Sequence, residues 1–265
     1  MGSWESYFST RQLGYQHSCN MNLTLTLHRQ STFWFIALIP LALIAFWITF
    51  FARGGSGYYW LDHFHGLMMA GWIAMLIAQG WLIRTNHRAL HRQLGQLSYY
   101  LMPLLVISTL WVANQRLQIS GVSELRAYVF GLQFILLLQL IVIYTFAIVY
   151  RKQADIHARL MICTALTLFD PIVARILANY LSGFLPYLNG HLVNAQATTA
   201  AMIVLLAGWL SWLDWHHHQR RDVFLPVTVL LSATWILILG IGIWPSWNAA
   251  AIIFTEAFAS MAFPY

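Results

Sequence analysis

Charge is what this sequence has least of. Lysine, arginine, aspartate and glutamate together make up 8% of its 265 residues, 14 basic and 8 acidic, where a soluble domain carries about 25%. So few charges cannot cover a water-facing surface, and a soluble globular enzyme is excluded. Cysteine is nearly missing as well. Cys19 and Cys163 are the only two, and they lack the spacing of a disulfide framework or a thiolate metal site. Lysine occurs once, as Lys152 beside Arg151, so no lysine lies inside an apolar segment to form a retinal Schiff base. The net charge of +6 is spread along the chain rather than gathered into a patch, which speaks against nucleic acid as a partner.

What is present is apolar, 60% of the chain, and it comes in blocks of about twenty rather than alternating. Blocks of that kind predict transmembrane helices and disfavour a transmembrane β-barrel. Seven segments are expected, at about 32–52, 64–84, 97–115, 126–150, 158–182, 194–213 and 224–245, each long enough for about 30 Å of hydrocarbon. Only helices satisfy their own backbone at that depth, so the fold class is an all-α polytopic bundle of seven transmembrane helices. The organisation is a polar N-terminal segment (1–31), a membrane domain (32–245) and a C-terminal tail (246–265) that is mildly amphipathic, suited to lying on the outer surface. Tyr58, Tyr59 and Trp60 before the second segment, and Trp244 and Trp247 after the seventh, read as interfacial belts. The first thirty residues are polar, unlike a cleavable signal peptide, and Met21 is an alternative start.

Arginine placement predicts the orientation. Arg11, Arg29, Arg84, Arg88, Arg92, Arg151, Lys152, Arg159, Arg220 and Arg221 fall at one set of segment ends, while Arg53, Arg116 and Arg126 fall at the other. The positive-inside rule then puts the N-terminus in the cytoplasm and the C-terminus outside, with a bacterial inner membrane as the expected location and the lipid bilayer as the first partner. A short internal match supports a helix-pair repeat. Ala89-Leu90-His91-Arg92-Gln93-Leu94 introduces the third segment and Asp155-Ile156-His157-Ala158-Arg159-Leu160 the fifth.

With so little charge, eleven histidines are the main polar chemistry. Asp62, His63 and His65 open the second segment. On a regular helix His65, Met69, Trp72, Leu76 and Gln79 share a stripe, whereas His63 points about 200° away from His65. Both histidines also suit an interfacial role, bonded to headgroups or loop carbonyls. On the opposite side His87 and His91 are spaced i, i+4, as two ligands on one helix face would be. His91 and His157 occupy equivalent mouths of the repeat, which makes them the natural bis-histidine pair. Solvated loop histidines among arginines are the plainer alternative there, as for His216, His217 and His218. The metal candidates are thus His63, His87 and His91. Inside the apolar segments, Asp170 beside Pro171, Arg175 and Gln79 stand out, because a charged group in the bilayer costs a few kcal/mol by insertion scales. Asp170 expects a partner such as Gln79, Asn114 or Gln139, or else stays protonated. Arg175 either snorkels to the outer headgroups or pairs with Asp62.

The string Phe64-His65-Gly66-Leu67-Met68-Met69 resembles the His-Gly-x-x-Met opening of a haem-ligating helix in heme-copper oxidases. It is also similar to the His-x-His helix opening of the NnrS membrane proteins. Its His-Gly with Trp72 further on is similar to transmembrane b-type cytochromes of the ascorbate-reducible kind. The resemblance implies b-type haem, with His65 as a ligand and electron transfer or haem handling as the activity. The third, fourth, sixth and seventh segments have no histidine in their middles, so a second ligand to His65 would come from His191 or from Met68 or Met69 of a neighbouring chain. Over most of its length the chain resembles uncharacterised bacterial integral membrane proteins, which implies no activity. Three functions follow as expectations: haem binding, with a quinone or another membrane subunit as redox partner; a non-enzymatic accessory or assembly subunit of a larger complex; and a seven-helix metal-dependent hydrolase, disfavoured because the cytoplasmic histidines fall in loops.

Overall fold

The computed structural model describes residues 31–55, 57–185, 192–218, 220–240 and 244–258. Among these the chain is all-helical. Helix α1 spans Ser31–Trp47, α2 Trp60–Arg84, α3 Arg88–Ser120, α4 Glu124–Val149, α5 Ala154–Ile176, α6 Leu192–His218, α7 Phe224–Gly240 and α8 Trp244–Ala257. Five of them, α2 to α6, are long and apolar enough to cross a membrane, and α1 and α7 carry shorter apolar helices. This is the construction of a membrane protein. Its outer faces fit that solvent: Trp34, Leu67, Tyr100, Leu205, Val229 and Ile236 are all exposed, an apolar surface far larger than single scattered residues.

Local chemistry sets the ends. Helix α2 begins earlier than its apolar run, because the Asp62 carboxylate accepts the Tyr59 N–H at 2.9 Å and so closes the first turn. Helix α3 is longer than its apolar core at both ends: 33 residues, or about 50 Å. Arg88, His91 and Arg92 therefore sit on its first two turns rather than in a loop. Pro171 lies inside α5 and removes the hydrogen bond that Thr167 O would accept. A π-helical turn, Leu177–Leu181, extends the C-terminal end of α5.

One apolar cluster ties α1 to α5, through Phe35, Leu38, Trp72, Leu76, Met102, Leu105, Leu140, Tyr144, Leu168 and Ile172. Trp72 is fully buried and meets the Tyr144 ring edge-on at 5.5 Å. A second cluster joins α4, α5, α6 and α7 through Ile143, Leu160, Cys163, Ile203, Phe224 and Leu231. Helix α5 belongs to both and is the most enclosed of the five long helices. Helix α8 packs Ala251 and Phe254 against Ala113, Leu117, Ala127 and Phe130, at the Arg116–Arg126 end of α3 and α4. Segment 1–30, with Cys19 and Met21, lies outside the described residues.

Candidate functional site

Three groups of polar side chains occupy this frame. At the end where α4 hands over to α5, the last four carbonyls of α4 have no intrahelical donor. Phe146 O and Ile148 O accept backbone N–H groups of the turn, from Tyr150 and Arg151. Ala147 O instead lies 2.8 Å from His157 Nδ1. A carbonyl only accepts, so Nδ1–H donates, and in the neutral ring Nε2 keeps its lone pair. His91, one turn into α3, brings its ring to 6.4 Å from the His157 ring, centre to centre and at 84°. Its Nδ1 is buried without a hydrogen-bond partner. Helices α3 and α5 are not among the closely packed pairs, so they meet here through side chains. The sequence-level pairing of His91 with His157 is present as a ring contact.

His87 stays apart from it. It is exposed, and its Nδ1 lies 2.8 Å from Thr85 Oγ1. That hydroxyl donates to Trp81 O, so the His87 ring is the donor to it. Gln79 faces the N-terminal half of α3: an added Cβ on Gly95 would lie 3.5 Å from Gln79 Nε2, and Gln79 Oε1 is buried without a partner.

At the far end of α2, His65 Nδ1 lies 3.1 Å from Ser108 Oγ. The Ser108 hydroxyl already donates to Leu105 O at 2.9 Å, and it has one proton to give. His65 is therefore also the Nδ1–H tautomer, with Nε2 bare. Met69, one turn on, packs half-buried against the first apolar cluster. His63 diverges, as its angle required, and lies against the Phe50 ring at 5.2 Å. Gly55, at φ +75, lets the loop close over it, since a Cβ there would sit 2.8 Å from His63 Cε1. His63 thus leans on the loop while staying exposed, with all of α2 between it and His87 and His91. Among the described residues no group of three or more His, Cys, Asp or Glu is arranged to hold a metal ion. His191 lies outside the described residues.

Asp62 pairs with Arg116 at 2.8 Å, not with Arg175. The Arg175 guanidinium donates to Pro171 O at 2.9 Å and lies over the Phe46 ring at 4.6 Å. Asp170 is 1% exposed, and its Oδ1 has no hydrogen-bond partner.

The third group was invisible in the sequence. Arg159 Nε contacts both Asp214 carboxylate oxygens at 3.0 Å, Nη2 contacts Oδ1 at 2.7 Å, and Nη1 donates to Asp155 O at 3.1 Å. Both side chains are 2% exposed. Arg220 links this pair to the α6–α7 connection, bonding Asp155 at 3.2 Å and Asp222 at 2.6 Å. Partial burial works against the Asp222 carboxylate, but the hydrogen bonds and charge of Arg220 outweigh it and hold Asp222 below the usual carboxylate range. The Asp222 hydrogen bond in turn raises Arg220. No sequence signal marked Asp214 except an acid placed directly after an apolar run.

No family model, curated protein or solved structure matches this chain.

Proposed function

We propose that the chain is a seven-helix bacterial inner-membrane protein, N-terminus cytoplasmic, that binds one b-type haem at its cytoplasmic end through His91 and His157. The observation that carries this reading is the ring pair. A haem iron can take one nitrogen from each of two histidines that stand close together on neighbouring helices. The rings stand 6.4 Å apart and nearly perpendicular. Each has an unclaimed nitrogen: the buried Nδ1 of His91 and the Nε2 left bare by the His157–Ala147 bond. A ligating histidine typically donates its other nitrogen to a carbonyl or carboxylate, which fixes tautomer and ring orientation, and His157 does this. The unpartnered Nδ1 of His91 and the fixed tautomer of His157 are what support haem at this pair.

Bound haem would supply one-electron redox chemistry. His91 and His157 would hold it, the Ala147 carbonyl would orient His157, and Arg88 and Arg92, both exposed near the start of α3, suit its carboxylates. Arg159 does not, because Asp214 and Asp155 use its donors. The crossing number rests on the five long helices together with α1 and α7. The orientation rests on ten basic residues against three.

Haem content measured on purified protein from haem-replete cells tests the reading. Wild type and His65→Ala should carry about one haem per chain, while His91→Ala and His157→Ala should lose most of it. Loss in His65→Ala alone would move the site to the opposite end. A colourless wild type that purifies with a stoichiometric partner would favour the accessory subunit instead.

A further inference from the structure

Helices α4, α5, α6 and α7 enclose a set of buried polar atoms that the haem site does not use. Asp170 Oδ1, Gln139 Oε1 and Gln196 Oε1 are acceptors without donors, and Trp235 Nε1–H is a donor without an acceptor. All four residues are more than nine-tenths buried. They belong to one region. Tyr128 of α4 lies within electrostatic reach of Asp170 and packs with Trp235 of α7 and Ala200 of α6. Gln196 is one turn before Ala200, and its neighbour Ala195 packs on Val173, one turn after Asp170. The Gln139 amide donates to Thr234, next to Trp235, which leaves its oxygen over.

The donor–acceptor balance decides the state of the acid. An ionised Asp170 would add acceptors to a group already short of donors, and a charge enclosed among apolar helices is disfavoured. A neutral carboxyl supplies the missing donor and keeps a carbonyl oxygen for a donor such as Trp235. Among the described residues, the charged or titratable groups around Asp170 are Tyr128 on α4 and Arg175 on its own helix. Arg175 is turned to Phe46 and Pro171 O. Pro171 adds a further acceptor by freeing Thr167 O one turn below.

We infer that Asp170 is a proton-binding site of the bundle, a neutral carboxyl set among the buried polar atoms of α4, α5, α6 and α7. It is the group on which this half of the molecule carries a proton at membrane depth. None of its residues is a proposed haem ligand, so the inference stands or falls separately from the haem reading.

Infrared spectroscopy of detergent-purified protein labelled with 13C-aspartate tests it. The wild type at neutral pH should show the carbonyl stretch of a neutral carboxylic acid, shifted by the label and by D2O, and Asp170→Asn should lose that band. Trp235→Phe should move the band to higher frequency, and Gln196→Leu should also displace it. The two milder variants keep the test usable where Asp170→Asn fails to fold. A wild type without a neutral aspartic band overturns the inference, as does a band that Trp235→Phe and Gln196→Leu both leave in place.

Discussion

Asp214 shows how much one side chain can carry at a helix end. It compensates the Arg159 guanidinium inside a contact that is almost wholly buried, and removing one partner of such a pair costs about 3–5 kcal/mol, because the other charge is left without compensation. Asp214→Asn should therefore lower the unfolding temperature of the detergent-solubilised protein strongly. Arg159→Lys should do nearly as much, since one ammonium cannot reproduce a fork that touches both carboxylate oxygens. An unchanged thermal transition in both variants would contradict the geometry. The sequence could not disclose this pair: the partners lie 55 residues apart, and each reads alone as a charge at a segment end. The histidines were more legible. His91 and His157 stood out because the internal match placed them at equivalent helix mouths, and their rings do meet. The partners expected for Asp170 were misplaced. Gln79 faces Gly95 on α3, and Asn114 accepts from Gln118. Only Gln139 belongs to the right group of helices, and its amide goes to Thr234. Which residues share a helix can be read from spacing, but which helices face each other cannot.

At the scale of the element, close approach is bought with small residues. Helices α1 and α2 meet at Thr32 and Gly80, where an added Cβ would lie 2.6 Å from Thr32 Oγ1. Without a hydrophobic drive between helices in lipid, such contacts hold helices together by packing. Gly80→Ala should destabilise the protein by about 1–3 kcal/mol, the usual cost of overpacking. Adding Thr32→Ala should restore most of that loss, a coupling that a double-mutant cycle of unfolding free energies would read. Helix existence was legible from block length. Helix ends were not, because Asp62 starts α2 before its apolar run and α3 continues through polar residues at both ends. The same extension puts His91 on a helix, where its backbone is held, rather than in a solvated loop.

For the molecule as a whole, α5 is the organising element. It is enclosed by α4, α6, α7 and the α1–α3 side, and it carries the half-buried His157 and the buried Arg159 and Asp170, while Arg175 near its end is exposed. Composition announced a membrane protein, but nothing in it distinguished the central helix from those that face lipid, since lipid tails and a protein core are equally apolar. The proposed orientation is testable without reference to function. In a background with Cys19 replaced by serine, Lys152→Cys should react with an impermeant thiol reagent only from the cytoplasmic side, and Ser123→Cys only from outside. Cys163 is fully buried and should stay silent. The reverse pattern would invert the molecule. The central claim remains the His91–His157 pair, and an absorption spectrum of the purified wild-type protein, before and after dithionite, tests it most directly. A Soret band that shifts on reduction and is missing from His157→Ala is the predicted result. A colourless protein from haem-replete cells, or a band untouched by His157→Ala, would contradict it.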